Sequence, residues 1–278
     1  MSSVRLTTRR IEKIWGRRQL GLGFSDVPAD RDPVGEIWFE GGTAPELLIK
    51  YLFTSAKLSV QVHPSDAAAQ ARGHAHGKEE CWLVLDTEPD ARIGIGLREP
   101  VGETALRAAA LDGSIEDMLD WKPVSPGDIF HLPPGTVHAI GAGVTLLEVQ
   151  QNIDLTYRLY DYGRPRALHL DDAVAVAHRE PWVAPPRPGE IDPGREIMAT
   201  GGAFTLERWT CARATQLAMA DTGPLWLIPL DGGGALDMQP IAPGEVWMAG
   251  TEAALDYSGT VLAAYARSTV AAGLIPGS

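Results

Sequence analysis

Leu58-Ser59-Val60-Gln61-Val62-His63-Pro64 is the stretch from which this chain is best read. Val60 and Val62 alternate with Ser59, Gln61 and His63, the period-two pattern of a strand with two unlike faces. Gln61 and His63 then project the same way from neighbouring pleats. Two residues of related chemistry follow. Glu80 opens the run Cys81-Trp82-Leu83-Val84-Leu85, and His138 follows the turn Pro133-Pro134-Gly135-Thr136. Two imidazoles, a carboxylate and an amide oxygen suit a zinc-like divalent ion with one coordination position left open. Singly, each has a plainer reading: a hydrogen-bonded strand histidine, a charge at a strand end, an amide of no consequence. Their common setting in or beside apolar strands joins them, because a bare charge there is costly unless paired or metal-bound.

Around this nucleus the chain reads as short strands. Gly35-Glu36-Ile37-Trp38-Phe39-Glu40 is predicted as a strand ended by Gly41-Gly42. Leu47-Leu48-Ile49-Lys50-Tyr51-Leu52 is an apolar run whose one charge, Lys50, is expected to snorkel to solvent. Asp66 to Arg72 is Ala-rich and predicts a short helix. Gly73-His74-Ala75-His76-Gly77 reads as a solvated loop rather than a second metal site. Strands at Cys81–Leu85 and Ala91–Leu97 flank a turn at Glu88-Pro89-Asp90. Apolar spacing over Thr104–Leu119, with Gly113 in the middle, predicts a helical hairpin. Strands resume at Pro126–Leu132, Val144–Val149 and Thr156–Tyr160. Residues 164 to 195 hold Pro181, Pro185, Pro186, Pro188 and Pro193, and 179 to 195 is read as a linker.

Beyond residue 196 the pattern repeats. Trp82-Leu83-Val84-Leu85-Asp86 is similar to Trp226-Leu227-Ile228-Pro229-Leu230-Asp231, and Pro126-Gly127-Asp128-Ile129-Phe130 to Pro243-Gly244-Glu245-Val246-Trp247. Trp and Pro-Gly stand 44 positions apart in the first copy and 17 in the second, and the helical insert fits the difference. Carried ungapped, the repeat puts Pro224 in place of Glu80 and Leu255 in place of His138, and no histidine follows His178. The expected architecture is all-β: two jelly-roll barrels, residues 1–178 with ligands and an insert near 104–120, and 196–278 without ligands.

The totals narrow the function. The chain has 278 residues, 45% hydrophobic and 22% charged, an ordinary globular composition. A net charge of −12 and no Lys/Arg run longer than two argue against nucleic acid and membrane surfaces as partners. The N-terminal ten residues lack the apolar core of a signal peptide, and two cysteines, Cys81 and Cys211, are too few for a disulfide framework. A cytoplasmic chain, monomeric or homodimeric, is the expectation.

Gly127-x5-Pro133-x-Gly135-x2-His138 resembles the second cupin motif, although Ala142 stands where an Asn is usual. The first cupin motif is broken by the long loop between His63 and Glu80. That break, with Leu58 to Pro64, Gly77-Lys78-Glu79-Glu80-Cys81-Trp82, Gly135-Thr136-Val137-His138-Ala139-Ile140 and Glu148 to Tyr162, is similar to type I mannose-6-phosphate isomerase in its short bacterial form. The resemblance is strong from about 45 to 172, and after 196 rests on layout. It implies one zinc held by Gln61, His63, Glu80 and His138. It further implies Arg158, Lys78 and Glu148 as catalytic groups, and Lys50, Ser59 and Arg164 on the substrate or phosphate side. Ile153 and Gly163 depart from the usual Ser and Asp. The function implied is interconversion of mannose 6-phosphate and fructose 6-phosphate through an enediolate. Lys78 is preferred over Glu148 as proton carrier. A metal-dependent cupin dioxygenase and a non-catalytic sugar-binding cupin remain as alternatives, the first having no need of Lys78 or Arg158.

Overall fold

A computed structural model describes residues 2–41, 46–219, 222–250, 252–271 and 273–275, with the side chains of 211–214 set aside. Gly42, at the expected strand end, and the Cys211 side chain therefore lie outside the described residues. In chain order the elements begin with β1 (Val4–Arg5), β2 (Thr7–Arg17), β3 (Val34–Glu40), β4 (Leu47–Phe53), β5 (Val60–Val62), α1 (Asp66–Gln70), β6 (Glu80–Thr87) and β7 (Arg92–Leu97). Next come α2 (Glu103–Asp112), α3 (Ile115–Met118), β8 (Leu119–Pro123), β9 (Ile129–Leu132), β10 (His138–Ile140), β11 (Val144–Gln151), β12 (Tyr157–Tyr160) and α4 (Leu170–Val176). The chain continues through β13 (Gly189–Asp192), β14 (Arg195–Ala199), β15 (Thr205–Gln216), β16 (Leu225–Pro229), β17 (Gly233–Leu236), β18 (Gln239–Ile241), β19 (Trp247–Ala249) and β20 (Ala254–Tyr265).

The chain is mostly β, in three open sheets. A six-stranded sheet runs β2-β3-β4-β11-β6-β9, a five-stranded sheet runs β12-β5-β10-β7-β8, and a nine-stranded sheet follows the path β1-β19-β16-β20-β15-β14-β13. The six-stranded sheet lies in the middle. Ile49, Tyr51, Cys81, Leu83, Leu147 and Val149 on one face pack against Met198, Leu206, Trp226, Ile228 and Leu262 of the nine-stranded sheet. Leu52, Trp82 and Leu146 on the other meet Ile93, Ile95 and Ile140 of the five-stranded sheet. Burial on both faces is why β4 and β11 have no exposed position. Helices α2, α3 and α4 cover the far side of the five-stranded sheet through Leu106, Ala110, Ile115 and Val174, packed on Val60, Val62 and Leu159.

Several expectations change. The helical hairpin forms, with Gly113 closing α2 in the left-handed region at φ 88°, but its end passes into strand β8. The proline-containing stretch 164–195 holds α4, whose Ala173 and Val174 are buried, and β13, which joins the nine-stranded sheet inside the expected linker. Lys50 does not snorkel; it is 4% exposed. The repeated motifs do occupy like places. The order β4-β11-β6-β9 is matched by β15-β20-β16-β19. The two strand pairs differ by one residue in register, Trp82 facing Phe130 while Trp226 faces Met248 rather than Trp247.

Candidate metal centre

The gap between the six- and five-stranded sheets holds most of the side chains singled out in the sequence. On the five-stranded sheet Arg158, Gln61, His138 and Ile95 form one cross-strand row, since Arg158 pairs with Gln61, Gln61 with His138, and His138 with Ile95. Residues paired across strands share a face. Opposite, Trp38, Lys50, Glu148, Trp82 and Phe130 form a row across β3, β4, β11, β6 and β9. Lys78, Glu80 and Trp82, alternate residues of one strand and its approach, project into the gap.

His63, Glu80 and His138 converge, with one potential ligand atom of each within 4.8 Å of the others. Glu80 Oε1 lies 3.3 Å from His63 Nε2, and Oε2 lies 3.7 Å from His138 Nε2. All three are buried. The Nδ1–H of His63 donates to the Leu155 carbonyl at 2.8 Å, and that of His138 to the Thr136 carbonyl at 2.9 Å. These bonds fix the tautomer, so both Nε2 lone pairs face Glu80. Neither Glu80 oxygen accepts a well-formed hydrogen bond, although Lys78 Nζ approaches Oε1 to 2.6 Å. A buried carboxylate paired with Lys78 on one oxygen and set beside two oriented lone pairs is a donor set that fits a divalent cation.

Charge states agree. Burial, and then the Lys78 ammonium, lower His63, and burial pushes His138 down to about 3, so both imidazoles are neutral near pH 7. Burial, the largest single effect, would favour the acid form of Glu80, but Lys78 and the adjacent His63 and His138 together outweigh it and hold the carboxyl well below the usual range. Gln61 Nε2 lies 3.2 Å from His138 Nε2, while its Oε1 accepts from Ser59 Oγ at 3.0 Å. Turning the amide over would bring its oxygen inward, and the Ser59 hydroxyl, which also accepts, would satisfy the amide nitrogen. Ser59 thus touches Gln61.

Lys50 Nζ lies 3.2 Å from Glu148 and 3.8 Å from Glu36, under the face of Trp38 at 4.6 Å. Its charge is already matched. Glu148 also accepts from Trp82 Nε1 at 3.0 Å; it does not hold His138, whose Nδ1 is taken by Thr136. Burial and the charge of Glu80 raise the Glu148 carboxyl. Burial would lower Lys78, but Glu80 and Glu148 prevail and raise it. Arg158 is half-buried, and its Nε has no hydrogen-bond partner. Arg164 is 3.4 Å from Asp161, which Arg166 grips with two bonds of 2.6 Å. Lys50 and Arg158 thus sit on opposite sheets, and Arg164 in the loop after β12. Glu36, Trp38, Asp161 and the two carbonyls have no site role in the sequence reading. Trp82 was signalled there, as part of the repeat.

No family model matches the chain. A mannose-6-phosphate isomerase of Streptococcus mutans is 36% identical over 267 residues, 80% of this chain and 83% of that protein. The chain belongs to the mannose-6-phosphate isomerase family. The isomerase ManA of Bacillus subtilis is 44% identical over 144 residues, a match spanning 49% of this chain and 45% of that protein. The crystal structure of a Bacillus subtilis mannose 6-phosphate isomerase superposes with a TM-score of 0.80 at 26% identity, covering 95% of this chain and all of that one. The family likeness in fold therefore takes in the nine-stranded sheet, where sequence resemblance rested on layout alone.

Proposed function

We propose that the protein is a zinc-dependent aldose–ketose isomerase interconverting mannose 6-phosphate and fructose 6-phosphate. The observation that carries this is the His63–Glu80–His138 group with its fixed tautomers, in a family named for that activity. Gln61, His63, Glu80 and His138 would hold the zinc. When bound, the cation supplies a Lewis acid that draws negative charge onto substrate oxygens as a proton leaves carbon.

The remaining chemistry falls to the protein. Lys78 Nζ is the proton carrier of this reading: it touches Glu80 and lies 3.4 Å from His63 Nε2. A cation among those ligands would oppose its charge and lower its pKa toward neutrality. Glu148 is the weaker candidate, because Lys50 and Trp82 already engage its oxygens. Arg158, with permanent charge and a buried N–H to offer, stabilises the enediolate oxygens. Arg164 contributes to phosphate binding from its loop, and Ser59 and Lys50 set Gln61 and Glu148. The wider fold is read as two jelly-roll units of which the second has lost its ligands, which the shared strand order supports.

The deciding experiment is turnover of mannose 6-phosphate, followed in a linked assay, with and without chelator. Turnover abolished by chelator and restored by zinc is expected. Oxygen uptake in its place would favour a dioxygenase, and sugar binding without turnover a sensor.

A further inference from the structure

Lys78, Glu79 and Glu80 alternate, so that Lys78 and Glu80 enter the gap while Glu79 projects to the other face, beside Cys81 and the nine-stranded sheet. There it is 5% exposed. Its Oε1 lies 2.5 Å from His131 Nε2, and its Oε2 accepts the Ala203 N–H at 2.7 Å. Ala203 belongs to the turn between β14 and β15, in the half of the molecule without ligands. Gly202 is needed beside it: a Cβ there would fall 2.0 Å from the Glu79 carboxylate oxygens. The Glu79 backbone is held as well, its N–H donating to Gln151 Oε1 at 2.9 Å and its carbonyl accepting from Gln151 N at 3.2 Å.

The geometry points to Glu79 as a positioning residue through which the nine-stranded sheet fixes the Lys78–Glu80 segment at the metal centre. This rests on the zinc isomerase function proposed for the site. The ligand-free half thereby gains a part in catalysis, clamping from behind a segment that supplies one ligand and the proton carrier. The strand leaves no slack for Glu79 to move alone, because three consecutive residues alternate between two packed layers.

The test is zinc affinity by chelator competition, with hydrogen exchange of the peptide covering 77–83 in metal-free protein. Glu79→Ala should weaken zinc binding about 10- to 100-fold, the usual effect of losing a group that orients a ligand, and speed exchange across 77–83. Glu79→Gln, which keeps an oxygen for Ala203 and offers an N–H to His131 Nε2, should recover most of the affinity. Met198→Ala, a truncation in the same inter-sheet core, controls for general loosening and should leave zinc affinity within about twofold. Unchanged zinc affinity in Glu79→Ala, or an equal loss in Met198→Ala, overturns the inference while wild-type protein still binds zinc and isomerises. Wild-type protein that binds no zinc overturns the proposed function, and this inference with it.

Discussion

A buried imidazole held near pKa 3 makes His138 a source of acid sensitivity. In the unfolded chain its value returns to roughly 6.5, so between the two the unfolded state binds the extra proton. In metal-free protein the contribution of His138 is complete above about pH 6.5. It is lost as pH falls toward 3, at roughly 1.4 kcal/mol per pH unit. Glu80, lowered when folded, adds to the loss once pH drops below its ordinary range near 4.5. Urea midpoints taken with chelator should therefore fall steadily from pH 7 to 4.5; a flat profile would mean that His138 is not neutral in the fold. The site residues separate by role as well. His138→Ala should lose both zinc and turnover, whereas Arg158→Ala should keep stoichiometric zinc and lose turnover by at least about 100-fold. Retained activity in the His138 variant would remove this site from consideration. These ligands were legible because each sits in a local pattern, an alternating strand or a Pro-Gly turn. What orients them was not: the Leu155 carbonyl is 92 positions from His63, and nothing near His63 marks it.

At the scale of elements, β11 shows what local reading catches and what it misses. Val144 to Val149 was recognisable as a strand, and burial of both faces follows from its place between β4 and β6. Leu147, fully buried against the nine-stranded sheet, should cost about 2–5 kcal/mol as Leu147→Ala, measured by urea unfolding, with zinc affinity little changed. A loss under about 1 kcal/mol would show that face to be loosely packed. Lys50 illustrates the miss. From β4 alone an isolated lysine in an apolar run belongs at the solvent edge. In the sheet, β3 brings Glu36 from one side and β11 brings Glu148 from the other, so the ammonium remains inside. Lys50→Met would leave buried Glu148 without its ion-pair partner, while Glu36 keeps Lys13 at 3.2 Å. A loss of about 3–5 kcal/mol is expected, along with weakened turnover. α4 was missed for a similar reason. Its four-residue apolar pattern is brief and set among prolines, and it is stabilised by docking on β12 and α2.

Across the whole molecule, the core between the six- and nine-stranded sheets takes residues from both halves, so the halves are not independent. Calorimetry should give one unfolding transition for the metal-free protein, and two resolved transitions would show that the sheets melt apart. The repeat could be seen in the sequence because the Trp and Pro-Gly motifs recur. The face-to-face packing that makes the repeat matter could not, since it depends on apolar positions scattered from Leu6 to Ala264.

One consequence concerns synthesis. Val4 and Arg5 pair with Met248 and Trp247, and Ser3 hydrogen-bonds with Asp237 and Gly250. Strand β1 is translated before its partner, whose residues follow more than two hundred positions later, roughly 10 to 50 s at ordinary elongation rates. Throughout that interval this short edge waits for β19, and the nine-stranded sheet gains its outer edge only when the two meet.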